Sequence, residues 1–209
     1  CGEMIADLET PVSAFLKLRN GPWNFLLESV EQEERVGRYT FVGTDPALVF
    51  SAGGGAVDIL DTRTGERTSE RTPDPLRVLR RIAAEYRQPP VPGLPDFLGG
   101  FIGYLSYDYV RCLERLPATL GEEVKAPDAF FMLARDLVVF DHFKRKLLIV
   151  ANAFIPEHRS PEEAYRAALE RIERTAGRLA GPIPAASVSP SPRREFRSNL
   201  SRTGFEKMV

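Results

Sequence analysis

The chain has 209 residues, with 28 Lys and Arg against 29 Asp and Glu, so its formal net charge is −1. At 43% hydrophobic and 27% charged residues it reads as an ordinary globular chain, long enough to bury a real core in one large domain or two small ones. The absence of a basic excess speaks against a nucleic-acid partner. No stretch approaches the roughly 18 uninterrupted apolar residues of a membrane helix, so no membrane association is expected. The opening Cys1-Gly2-Glu3-Met4 lacks the basic flank and apolar run of a signal peptide. Two cysteines and two histidines are too few for a disulfide scaffold or a Cys/His metal cluster. A reduced, cytoplasmic protein is the expectation, with Cys112 a small packing residue rather than a catalytic thiol.

In chain order, the first eighty residues read mostly as strands and turns. The apolar runs Phe15–Leu18 and Phe25–Leu27 are separated by the turn signal Asn20-Gly21-Pro22. Arg38-Tyr39-Thr40-Phe41-Val42-Gly43 is aromatic and β-branched, as a strand requires. Ala47–Phe50 and Ala56–Leu60 flank Gly53-Gly54-Gly55, which predicts a hairpin. A phosphate cradle would need a helix after those glycines, and strand residues follow instead.

Asp74-Pro75 opens a predicted helix to about Arg87, with Leu76, Leu79, Ile82, Ala83 and Tyr86 on one face. Phe97–Tyr104 reads as a glycine-bearing strand and Tyr107–Leu116 as a short helix. Two apolar runs lie between Asp128 and Asp141, the second strand-like, and residues 142–145 turn the chain into a partner strand at Lys146–Ala151. His142 reads as a turn residue rather than a general base.

Ser160-Pro161-Glu162-Glu163 has capping-box spacing with proline at the first helical position. The helix it opens carries the stripe Ala164, Tyr165, Ala168, Leu169, Ile172, Ala176 and Leu179. Gly181-Pro182 stops it, and residues 181–197 have a linker's composition. Ser201 caps a further helix, in which Phe205, Met208 and Val209 begin an apolar stripe. A helix with nothing to pack against suggests a truncated protein. Hairpins with three helical segments and no regular βαβ alternation give an α+β fold: mixed or antiparallel sheets with flanking helices.

Catalytic signatures are lacking: the sequence holds no Gly-x-Ser-x-Gly elbow, His-Glu-x-x-His helix or Walker loop. Paired carboxylates such as Asp7/Glu9, Glu28/Glu31 and Asp136/Asp141 read as solvated or turn-forming groups. One segment is unusual. Glu28 and Ser29 end the apolar run Phe25–Leu27, and Arg38 opens the next strand. If the two strands pair, Glu28 or Ser29 lies near Arg38 at one sheet end. That set suits a zwitterion, with an acid for an ammonium and a guanidinium for a carboxylate. A polar turn with a surface salt bridge worth under about 1 kcal/mol is the plainer reading.

Thr10–Leu18, Phe25-Leu26-Leu27-Glu28-Ser29-Val30-Glu31, Glu34–Gly43, Gly99–Asp108 and Phe140-Asp141-His142, taken in order, closely resemble the amino-terminal region of the anthranilate synthase component I family. Residues 198–209 resemble the opening of that family's chorismate-binding domain.

The resemblance implies the incomplete amino-terminal part of a two-domain α/β sandwich. Residues 1–180 would be a regulatory, tryptophan-binding domain, 181–197 a linker, and 198–209 the start of a truncated catalytic domain. The implied reaction converts chorismate and ammonia to anthranilate and pyruvate with magnesium, the ammonia coming from a glutamine amidotransferase subunit. No catalytic or metal-binding residue is implied within these 209 residues, which are expected to be inactive alone. Glu28 and Ser29 are implied in the L-tryptophan feedback site, with Arg38 at a nearby basic position. Rival readings are aminodeoxychorismate synthase component I, which omits pyruvate elimination, and a stand-alone amino-acid-binding module; isochorismate and salicylate synthases match the Leu-Leu-Glu-Ser region less well.

Overall fold

The computed structural model describes residues 1–28, 37–116, 126–157, 160–184 and 198–208. In chain order its elements are β1 (Gly2–Ile5), α1 (Pro11–Leu18), β2 (Asn24–Leu27), β3 (Tyr39–Thr44), β4 (Leu48–Gly53), β5 (Ala56–Asp61), β6 (Arg67–Arg71), α2 (Pro75–Ala83), β7 (Gly100–Leu105), α3 (Val110–Leu113), β8 (Ala129–Ala134), β9 (Asp136–Asp141), β10 (Lys146–Ala151), α4 (Pro161–Ala180) and α5 (Arg202–Glu206). They form two antiparallel five-stranded sheets with a few flanking helices, an α+β fold. The first sheet has the order β1-β10-β9-β3-β2 and the second β6-β5-β4-β8-β7.

The sequence of the first sheet reflects burial on both faces. Val42, Val138, Phe140, Leu147 and Ile149 pack against Ala14 and Leu18 of α1 and Leu179 of α4. The alternate residues Leu137, Val139, Leu148 and Val150 pack on the other face against Leu98, with Leu94 and Phe97 beside it. Strands covered on both sides read as continuous apolar runs rather than alternating ones, which explains Leu137–Phe140 and Leu147–Val150. Among the described residues, helix seals one face of the second sheet: Phe50, Ala52, Val57 and Ala129 lie under Val78 and Leu79 of α2 and Tyr109.

Both hairpins expected from the sequence form. Gly54 and Gly55 take positive φ in the β4–β5 turn, where side chains with a Cβ would be strained. Lys146–Ala151 returns along Asp136–Asp141 in full register. The expected Ser160 and Ser201 caps also form, the two side chains accepting from the N–H groups of Glu163 and Gly204.

Several elements differ from the sequence reading. Phe15–Leu18 is the end of a helix, not a strand: Thr10 and Ser13 form a reciprocal capping box with Pro11 in the first turn, a start signal that outweighs the short apolar run. α2 ends at Ala83 rather than near Arg87, and it buries Val78, which lay outside the expected stripe. The strand begins at Gly100, leaving Phe97 and Leu98 in the segment that covers the first sheet. Tyr107–Leu116 contains a 3-10 turn at Tyr107–Tyr109 followed by only four helical residues. In α4, Ala164, Ala168 and Leu179 are buried, while Tyr165 is 62% and Leu169 40% exposed. β6 is exposed throughout and has no apolar alternation to announce it; its polar, charged character suits an edge strand.

Two connections carry the chain between sheets. β3 leads to β4 through Asp45, which sits at φ +50°, and β8 leads to β9 through Arg135 alone. At the second joint the Asn152 amide donates to the carbonyls of Leu98 (2.8 Å) and Arg135 (2.9 Å). The Asn152 backbone N–H also donates to the Arg135 carbonyl, at 3.1 Å. Arg171 of α4 donates to Asp136 at 3.0 Å and to the Asn152 carbonyl at 2.6 Å. Asn152→Ala removes an amide donor from two part-buried carbonyls and is expected to lower unfolding free energy by about 1–3 kcal/mol. Urea titration measures this directly; a loss below about 0.5 kcal/mol, the range of neutral surface changes, would show that water replaces the amide without penalty.

Candidate functional site

The antiparallel pairing of β2 with β3 places Leu27 opposite Phe41. Residue 28 therefore lies at the sheet end where Arg38 enters β3, as the strand-pairing argument required. Glu28 is exposed just past the end of β2. Ser29 lies outside the described residues. Glu28 makes no ion pair among the described residues.

Arg38 has a partner that sequence reasoning missed. Its guanidinium reaches toward β9, on the far side of β3 from β2, and grips Asp141 with two bonds, Nε to Oδ1 at 3.1 Å and Nη2 to Oδ2 at 2.7 Å. Paired geometry of this kind fixes orientation as well as charge. The same guanidinium lies 4.8 Å from the Tyr39 ring centroid and 5.6 Å from that of Phe143, within cation–π range.

Asp141 is almost fully buried and accepts a third bond from the Lys144 backbone N–H at 3.0 Å. Burial by itself raises its pKa, but the hydrogen bonds from Arg38 and Lys144 outweigh it and hold the carboxyl below its ordinary range. His142 sits in the turn as expected; its Nε2 lies 2.7 Å from the Thr40 hydroxyl, and its backbone N–H donates to the Arg38 carbonyl at 3.0 Å. One sheet end thus holds an exposed carboxylate and an oriented guanidinium whose Nη1 has no hydrogen bond among the described residues. A usable signal lay in the sequence: Arg38 opens one apolar strand and Asp141 closes another, and opposite charges at the ends of antiparallel neighbours meet.

A second concavity, of about 610 Å³, lies on the face of the second sheet away from α2. Trp23, Tyr104 and Phe130 line it, with Tyr104 and Phe130 stacked at 5.9 Å as direct cross-strand partners and Trp23 5.6 Å from Phe130. Among the described residues, no group of three or more His, Cys, Asp or Glu is placed to hold a metal ion. No helix among them is long and apolar enough to cross a membrane.

The profile of the family described as chorismate binding enzyme matches residues 24–209. The chain belongs to that family. It is 36% identical over 176 residues to anthranilate synthase component 1 of Neisseria gonorrhoeae, covering 82% of this chain and 35% of the relative. To the protein of the same name in Synechocystis it is 38% identical over 190 residues, 90% of this chain and 37% of the relative. A probable anthranilate synthase component 1 of Schizosaccharomyces pombe matches all of this chain at 35% identity, over 40% of its own length. Among solved structures, anthranilate synthase component I from Streptococcus pneumoniae superposes with a TM-score of 0.57 at 25% identity, covering 88% of this chain and 38% of that one. The chain thus spans little more than a third of the length of these relatives. The chorismate-utilising resemblance seen in its motifs is upheld.

The Arg38–Asp141 pair has a testable pH signature. A carboxyl whose folded pKa lies below its unfolded value of about 3.9 contributes stability that is present above that value and lost as pH falls through the folded pKa. Asp141→Asn is therefore expected to flatten the fall in melting temperature below about pH 4, relative to the parent protein. Parallel acid-limb slopes for the two proteins would show that the pair makes no net contribution to folding.

Proposed function

We propose that this chain is the amino-terminal part of an anthranilate synthase component I, which converts chorismate and ammonia to anthranilate and pyruvate in tryptophan biosynthesis. The observation that carries the reading is the match to proteins of that name across 82–100% of this chain. In this reading residues 1–180 form the regulatory domain, 181–197 a linker and 198–209 the start of the catalytic domain. A glutamine amidotransferase partner supplies the ammonia in the cytoplasm. Magnesium belongs to the reaction, and this reading assigns its site to the catalytic domain rather than to residues of this chain. The 209 residues by themselves are expected to turn over no chorismate.

The regulatory ligand is L-tryptophan, held at the end of β2 and β3. Glu28 and Ser29 receive its ammonium group, and Arg38 presents Nη1 to its carboxylate while Asp141 keeps the guanidinium oriented. Two features support this: the shared sheet end of residues 28 and 38, and the two-point grip on Arg38. Tryptophan inhibits by binding one arrangement of the regulatory and catalytic parts in preference to another, so its differential affinity sets the extent of inhibition.

The test uses the full-length protein containing this chain, with chorismate, magnesium and ammonia, followed by anthranilate fluorescence. Fluorescent product suppressed by L-tryptophan is the expected result, and Ser29→Phe should raise the half-inhibitory concentration at least about tenfold, a loss of roughly 1.4 kcal/mol in effector binding. Undiminished tryptophan sensitivity in that variant removes Ser29 from the site. Chorismate consumed without anthranilate would move the protein to aminodeoxychorismate synthesis, the second reading.

A further inference from the structure

The C-terminal half of α4 and the first sheet enclose a cavity of about 280 Å³, on the opposite side of the sheet from Leu94–Leu98. Four arginines line it: Arg135 from the inter-sheet joint and Arg171, Arg174 and Arg178 from α4, spaced so that they share one helical face. Two carboxylates face them, Asp45 and Asp136. The walls therefore carry an excess of two positive charges in a partly enclosed space, where like charges are costly to hold together.

The hydrogen bonding around the cavity leaves cationic donors over. Arg171 is committed to Asp136 and to the Asn152 carbonyl, and Arg178 caps the end of α1 through the Leu18 carbonyl at 2.5 Å. Arg135 differs from both: its Nε is buried without a hydrogen-bond partner, 3.7 Å from the nearest Asp136 oxygen. Arg174 makes no hydrogen bond or ion pair among the described residues. Burial weakens the protonated state of Arg135, and the neighbouring Arg171 and Arg63 push in the same direction. A buried guanidinium N–H with no acceptor within hydrogen-bond distance is expensive to maintain, and the ion pair with Asp136 at 3.7 Å offsets that cost only in part.

We propose that this cavity is a binding site for a phosphoryl dianion, either inorganic phosphate or a small phosphomonoester. A dianion neutralises the excess charge, and its tetrahedral oxygens accept from Arg135 and Arg174 while Arg171 and Arg178 remain in their structural bonds. Arginine forks match phosphate geometry in two-point contacts. The volume is close to the lower end of small-molecule pockets, about 300–1,000 Å³, which suits a phosphoryl group with a short organic tail. This site is distinct from the sheet end at Glu28 and Arg38 and does not depend on the function proposed above.

Isothermal titration of the purified protein with inorganic phosphate, and separately with glycerol 3-phosphate, tests the proposal at constant ionic strength set with chloride. Saturable one-to-one binding of either ligand is expected, and the tighter of the two identifies the free ion or the ester as the occupant. Arg174→Gln, at an exposed position whose loss leaves the core intact, should weaken binding at least about tenfold. Arg166→Gln, on the exposed part of α4 beside Tyr165 rather than at the cavity, should leave it unchanged. No saturable binding of either ligand, or equal weakening by both variants, overturns the proposal.

Discussion

Between Ala134 and Asp136 the chain leaves one sheet and enters the other with a single residue to make the change, and most of the architecture follows from how that step is held. β8 and β9 are interior strands, paired on both sides, so an error in the length or direction of the joint would shift two ladders at once. A one-residue slip in a strand exchanges its two faces. The carbonyl of Arg135 is fixed by both the backbone and the side-chain amide of Asn152, and Asp136 is anchored to α4 by Arg171. The helix that seals the first sheet is thus tied to the residue that joins the two sheets. The same Asn152 side chain holds the Leu98 carbonyl, and with it the segment that covers the first sheet's opposite face.

Charge is placed around this frame with some economy. The half-buried Asp136 has its pKa raised by desolvation, which Arg171 and Arg135 offset in part. Asp141, at the other end of the same strand, moves the opposite way because Arg38 and the Lys144 N–H donate directly to it. One strand therefore ends in two carboxylates with opposite shifts, one facing the arginine-lined cavity and one orienting the guanidinium at the proposed effector site. The difference lies in the hydrogen bonds each oxygen receives, since both groups are desolvated.

The chain's membership in the chorismate-binding enzyme family gives these sites their context, and their geometry accounts for their separation. The end of β2 and β3 carries groups of both signs, Glu28 and Arg38. The cavity under α4 offers an excess of one sign. A ligand suited to the first has little reason to enter the second, because its ammonium would meet guanidinium groups.

Much of this could be read from the amino acids alone. The glycine-centred hairpin at residues 53–55, the return of Lys146–Ala151 and the helix opened by Ser160 depend on local signals, turn chemistry and capping, which act over a few residues and survive translation into structure. The ordered motifs from Thr10 to His142 pointed to the family for a similar reason: they are local strings. β6 stayed hidden because an exposed edge strand has no apolar period. Tyr165 and Leu169 were assigned to the core of α4, since helical periodicity gives a stripe but not the width of the surface that covers it. Glu28 and Arg38 could be placed at one sheet end from pairing alone, while the grip of Asp141 on Arg38, 103 residues away in the chain, was fixed only when β3 and β9 became neighbours. The sequence by itself determined the glycine-centred and Lys146–Ala151 hairpins, the capped helix at Ser160 and the family, because their signals are local. Tertiary structure decided which charges meet, because ion pairs across strands and the arginine-lined cavity depend on strand order, and strand order is set by burial over the whole chain rather than by any one segment.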